Sequence, residues 1–125
     1  MNLGIGTNLW ELESAEERHR LVPEMLRLPP LEERLSLKAC AQAELLFFFR
    51  GRDIHGLFVQ SERLWVTVRE VLPSGYVGEL NARPASTRAL DAGEPVWFEA
   101  HHVAGIRSPF SDCPPLGSWP MVEPR

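Results

Sequence analysis

Between Glu62 and Val103 the chain offers β-type segments in quick succession, and that run constrains the fold more than any other feature. Arg63-Leu64-Trp65-Val66-Thr67-Val68-Arg69 alternates polar and apolar residues, Pro73-Ser74-Gly75 supplies a turn, and Tyr76-Val77-Gly78-Glu79-Leu80 returns. After Ala92-Gly93, Pro95-Val96-Trp97-Phe98-Glu99-Ala100-His101 alternates again. A period of two sends successive side chains to opposite faces, so Leu64, Val66 and Val68 are predicted to share a core with Val96, Phe98 and Ala100. Leu45-Leu46-Phe47-Phe48-Phe49 is apolar throughout and predicts a strand covered on both faces, with Leu45 and Phe47 in the same core.

The residues before this block read as helical. Ser14-Ala15-Glu16-Glu17 has capping-box form and predicts a short helix from Ala15 to about Val22, stopped by Pro23. Pro30-Leu31-Glu32-Glu33-Arg34-Leu35 puts a proline at a first helical position with acids in the first turn, the arrangement the helix dipole favours. Arg50 to Ser61, with Gly51, Asp53 and Gly56, reads as a connection in which Leu57-Phe58-Val59 adds a little strand. Ser108 to Arg125 carries Pro109, Pro114, Pro115, Pro120 and Pro124, which rule out helix and central strand there. Phe110, Leu116, Trp119 and Met121 make this tail too apolar for a pure linker, so part of it is expected against the domain. Helices first and strands later predict an α+β fold: short N-terminal helices on a small, strongly twisted antiparallel sheet, in the extreme an SH3-like five-stranded barrel. Residues 1–107 form one domain in this reading and 108–125 a proline-rich tail.

With 125 residues the chain can bury a real core without metal or disulfide support. Its charge of −4, from 13 basic and 17 acidic residues, lacks the basic excess of a typical nucleic-acid binder, although Arg50, Arg52, Arg63 and Arg69 fall in adjacent elements. Cys40 and Cys113 lie far apart, and Met1 to Trp10 has neither the basic start nor the apolar run of a leader, so reduced thiols in the cytoplasm are expected. The longest apolar run is too short to cross a bilayer.

No nucleophile elbow, phosphate loop, paired metal-ligand motif or dinucleotide fingerprint occurs, and no enzyme activity or cofactor is expected. The faces opposite the core carry Trp65, Thr67 and Arg69 on one strand and Trp97, Glu99 and His101 on another, and these six are the candidate binding residues. An exposed indole needs a cover or a partner, because it combines a large apolar area with one donor. The N-terminal helices are the first candidate cover. His101-His102 with Glu99 has too few ligands for a zinc site, and His55 reads as a surface residue. Glu79 and Glu99 form a carboxylate pair only if their strands bring them together. The leading expectation is a small module for a protein partner, of immunity type or otherwise. The alternative is a single-stranded nucleic-acid-binding small barrel, stacking bases on Trp65 and Trp97 with Arg63 and Arg69 on the backbone.

Leu28-Pro29-Pro30 with Glu33-Arg34, Leu45-Leu46-Phe47, Glu62-Arg63-Leu64-Trp65-Val66-Thr67-Val68, Gly75-Tyr76-Val77-Gly78-Glu79-Leu80-Asn81, Pro84, Gly93 and Val96-Trp97-Phe98 together resemble an uncharacterised bacterial family, number 2314 in the domain-of-unknown-function series. The resemblance covers Pro23 to Val103 and is most specific at Glu-Arg-Leu-Trp-Val. It departs at Ala39-Cys40-Ala41-Gln42, where a Gly-Asp turn would be expected. It implies a fold of this class and assigns no catalytic residue.

Overall fold

The computed structural model describes residues 9–85 and 90–107. Strand β1 (Leu9–Leu12) leads into helix α1 (Ala15–Leu21), a 3-10 turn at Pro23–Met25 and the single-turn helix α2 (Leu31–Arg34). Strands β2 (Gln42–Asp53), β3 (Gly56–Leu72), β4 (Gly75–Leu80) and β5 (Pro95–Phe98) follow, then a 3-10 turn at Ala100–His102 and β6 (Val103–Arg107). β2 to β5 form an antiparallel meander. β1 and β6 both pair with the other side of β2, β1 along Phe47–Arg50 and β6 along Gln42–Leu45, so the two short strands lie end to end on one long one. The result is an α+β fold with few helices and a strongly curled, half-barrel sheet of six strands.

The alternation deduced from sequence is the one that builds the core. Ala43, Leu45, Phe47 and Phe49 of β2 meet Val66 and Val68 of β3, Tyr76 and Leu80 of β4, Val96 and Phe98 of β5 and Val103 of β6, all buried, with Leu64 packed at the margin. Gly78 is needed here, because a Cβ would lie 2.9 Å from Val66 Cγ2 and 3.1 Å from Phe98 Cε1. Ala15, Leu26, Leu46 and Ala104 form a smaller second cluster where the helical segment lies against the sheet. Ser14 caps α1 as expected, its hydroxyl accepting from the Glu17 amide at 3.2 Å. Glu17 pairs with Arg20 one turn on.

Several expectations need correction. The segment Arg50 to Ser61 is no connection: β2 and β3 run in continuous register from Gln42↔Thr67 to Asp53↔Gly56 and make one long hairpin. Its glycines read as breakers, but cross-strand pairing carries the ladder through Gly51, and the turn closes on Gly56, whose φ of +112° suits a residue without Cβ. The strand from Pro95 stops at Phe98, and Ala100 belongs to a 3-10 turn rather than the core face. Cys40 is disulfide-bonded, contrary to the reduced thiol inferred from compartment and spacing. Cys40 also holds a left-handed backbone, φ +76°, at the entry to β2. The chain's other cysteine, Cys113, and the whole tail 108–125 lie outside the described residues. Among the described residues no helix is long and apolar enough to cross a membrane.

Candidate functional site

Strand β3 needs 17 residues because its N-terminal part runs on with β2, as an arm, past the last pairing with β4, with β1 on the far side of β2 as far as Arg50 and two strands alone from Gly51↔Phe58 to the tip. Pairing with β4 begins only at Val66↔Leu80, so residues from Gly56 to Leu64 have no strand on their second side among the described residues. Cross-strand partners share a face, and the register puts Arg50 beside Val59, Arg52 beside Leu57 and Phe48 beside Ser61 on the outer one. Ile54 at the tip is 93% exposed, Leu57 77% and Val59 62%. Arg50 and Arg52 are exposed and have no ion-pair partner among the described residues. At the base of the arm the same face continues to Arg63, whose guanidinium donates to the Met25 carbonyl at 3.0 Å beside a cleft of about 210 Å3 lined by Glu13, Arg18, Met25 and Leu46. Three of the four arginines grouped by sequence therefore do lie along one surface. His55 is exposed in the turn.

The six residues singled out by alternation do not form one site. Trp65 is half-buried with the Arg107 guanidinium 3.8 Å above its ring, so one indole face is already taken. Thr67 is buried between strands, donating to Asn81 Oδ1 at 2.8 Å beside buried Gln42. Arg69 sits in a β-bulge, where Val68 faces Gly78 and Glu70 faces Val77, and the extra residue breaks the alternation that placed it with Trp65 and Thr67. Trp97 is 64% exposed and pairs with Val77, whereas Trp65 lies level with Asn81 two strands away. Four residues along and two strands across separate the indoles by on the order of 15 Å. The helical segment packs on Leu46 and Ala104 and leaves Trp97 open, so the helices are not its cover. Glu79 lies opposite Pro95, at the far end of β5 from Glu99, and the two carboxylates form no pair. Burial raises the Glu79 carboxyl above its ordinary value, and the Arg69 charge opposes that.

Glu99 and His101 meet just past the end of β5, His101 Nε2 lying 3.3 Å from Glu99 Oε1. They sit at a capping box in which the His102 amide donates to the Glu99 carbonyl at 3.0 Å and faces the Glu99 carboxylate, while the Glu99 amide donates to His102 Nδ1 at 3.0 Å. His102 lies against His101 with ring centres 3.9 Å apart and the rings tilted by 43°. Arg34, unremarked as a functional residue in the sequence, ties this turn to the helices. Its buried guanidinium donates to Pro29 O at 2.8 Å, Ala100 O at 3.0 Å and Glu16 Oε2 at 2.6 Å. Its own carbonyl accepts from the Tyr76 hydroxyl at 2.7 Å, which in turn accepts from the Leu37 amide. No local pattern marks an arginine as buried; only the convergence of three segments does.

His102 supports a pH prediction. Burial first and the neighbouring His101 second push its pKa down to about 4 from 6.5, with Glu99 pulling the other way. A depressed imidazole pKa means that the unfolded chain takes up the proton first, so the stability from neutral His102 is whole above about 6.5 and is lost as pH falls toward 4. After allowance for solvent screening the loss is about 1–2 kcal/mol. Thermal melts at pH 7.5 and 4.5 check this. His102→Gln keeps an acceptor for the Glu99 amide, and its melting should fall less between those conditions than the parent's; an equal fall sinks the assignment.

Compared with family models, curated proteins and solved structures, the chain matches none.

Proposed function

We propose that this chain is a small protein-interaction module that captures an extended, acidic segment of a partner along the β2–β3 arm. The observation that carries the reading is the conjunction, on one hairpin, of a β3 edge from Gly56 to Leu64 with no strand beside it among the described residues, exposed Leu57 and Val59, and exposed Arg50 and Arg52. An open edge offers main-chain donors and acceptors to an incoming strand, and the alternating side chains beside it set which strand fits. The chain carries −4 overall, so a basic arm selects by local field rather than by net charge. A role of immunity type is one form this module takes, and membership of family 2314 belongs to the same proposal. So does kinship of the half-barrel with the SH3-like barrels. Non-enzymatic action and a cytoplasmic setting complete it; the Cys40 disulfide is the observation set against that setting.

The test uses an eight-residue peptide alternating glutamate and valine, with its lysine counterpart as control. Amide shifts along Gly56 to Arg63 are expected with the acidic peptide only. Reversing both arm charges, Arg50→Glu with Arg52→Glu, should weaken binding about tenfold at low salt. Equal binding of both peptides, or indifference to the reversal, overturns the reading. Binding of oligo-dT in place of the peptide would favour the single-stranded nucleic-acid alternative, which draws on the same arginines.

A further inference from the structure

At the other end of the sheet the β3–β4 turn and the Ala100–His102 turn enclose a cleft of about 330 Å3, the lower end of the range for small-molecule sites. Leu35, Val71, Leu72 and Pro73 form its apolar wall, and Ser74, Glu16, Glu99 and His101 its polar one. Leu35 and Val71 are exposed although they flank this recess. A smaller recess of about 140 Å3 adjoins it and shares Leu72, Ser74, Gly75, Tyr76 and Glu99, with exposed Trp97 and His102 on its far side. Glu99 thus borders both spaces. The two turns approach this closely because residue 75 is glycine: a Cβ there would lie 2.5 Å from the Phe98 carbonyl oxygen.

We propose that this cleft binds a primary alkylammonium group, carried either by a free amine or by a lysine side chain. The charges select the class. Glu16 is matched by the buried Arg34 guanidinium, which leaves Glu99 as the carboxylate open to a ligand. The 3-10 turn holds the Glu99 backbone through its carbonyl and amide, both bonded to His102, and so keeps the carboxylate at the border of the two recesses. His101 touches it from one side at 3.3 Å without enclosing it, since Glu99 keeps 59% of its side chain exposed. An ammonium at Glu99 gains an ion pair, with the Trp97 ring bordering the adjoining recess as a cation–π partner. The alkyl chain lies on Leu35, Val71, Leu72 and Pro73, which a hydrated metal ion or a carboxylate ligand would leave unused. The cleft is separate from the β2–β3 arm, and the proposal stands without the arm's role.

Titration followed by 15N NMR tests it with four probes: hexylamine, Nα-acetyl-lysine N-methylamide, hexanol and hexanoate. Saturable shifts are expected at the Ser74, Gly75 and Glu99 amides and the Trp97 indole N–H with at least one of the two amines. The tighter amine names the source, free molecule or side chain. Hexanol and hexanoate should bind at least about fivefold more weakly, the size of an exposed charge contribution. Glu99→Gln, which keeps an acceptor for the His102 amide, should weaken amine binding about fivefold. Leu35→Ser, on the exposed wall, should weaken hexylamine a few-fold while melting stays put, and the arm double reversal should change nothing. No saturable shift with either amine at tens of millimolar, hexanol binding as tightly, or unaltered affinity in Glu99→Gln overturns the proposal.

Discussion

Arg34→Met is expected to cost about 3–5 kcal/mol, because methionine keeps the buried stem and removes every donor. The Pro29 and Ala100 carbonyls would lose the Arg34 Nε and Nη1 bonds at 2.8 and 3.0 Å, and Glu16 would lose its cation. A part-buried acceptor left unpaired forfeits its bond and some of its hydration, about 1–3 kcal/mol each, whereas the half-exposed Glu16 can return to water. For a domain whose whole stability is about 5–15 kcal/mol this is a large share, and urea midpoints will show it. The damage should also reach the cleft, since Arg34 anchors Ala100 next to Glu99. A loss under about 1 kcal/mol would mean that α2 is a passive cover rather than a joint.

Phe47→Ala should be as damaging, about 3–5 kcal/mol, for the opposite reason: it removes apolar volume from a place that cannot collapse. Phe47 is wholly buried in the middle of β2, with ring centres of Trp10 and Phe49 at 5.5 and 5.9 Å. β2 carries β1, β3 and β6, so a void there loosens three pairings together. Leu57→Ala on the arm is the matched control. It deletes a similar apolar side chain where water already reaches it, and its urea midpoint should move by less than about 0.5 kcal/mol equivalent. Equal costs at the two positions would contradict the assignment of core and arm.

The face of each strand was legible in the chain wherever period two ran unbroken. Val66, Val68, Val96 and Phe98 are buried as their alternation requires, and Ser14 and Pro23 bound α1 as local backbone chemistry requires. Alternation misled at Arg69, where one extra residue shifts the register, and at Glu99 and His101, where the strand has given way to a 3-10 turn. Glycine and aspartate misled between Arg50 and Ser61, because a breaker's local preference is small against a ladder paired on both sides of it. For the candidate site, sequence brought Arg50, Arg52 and Arg63 into adjacent elements and identified Trp97 as outward. It did not reveal that Trp65 would be capped by Arg107 or that Trp97 would border a cleft.

What the sequence determined by itself is what neighbouring residues decide among themselves: side-chain parity, capping, the stops at proline, and an α+β order of elements. The tertiary structure decided the rest. β1 and β6 share β2, the hairpin runs on into an arm, and Arg34 joins three segments. Each of these depends on groups distant in the chain meeting at hydrogen-bonding or packing distance. Backbone preferences reach only a few residues, while an unpaired buried polar group or an unfilled core costs kilocalories wherever its partner lies in sequence.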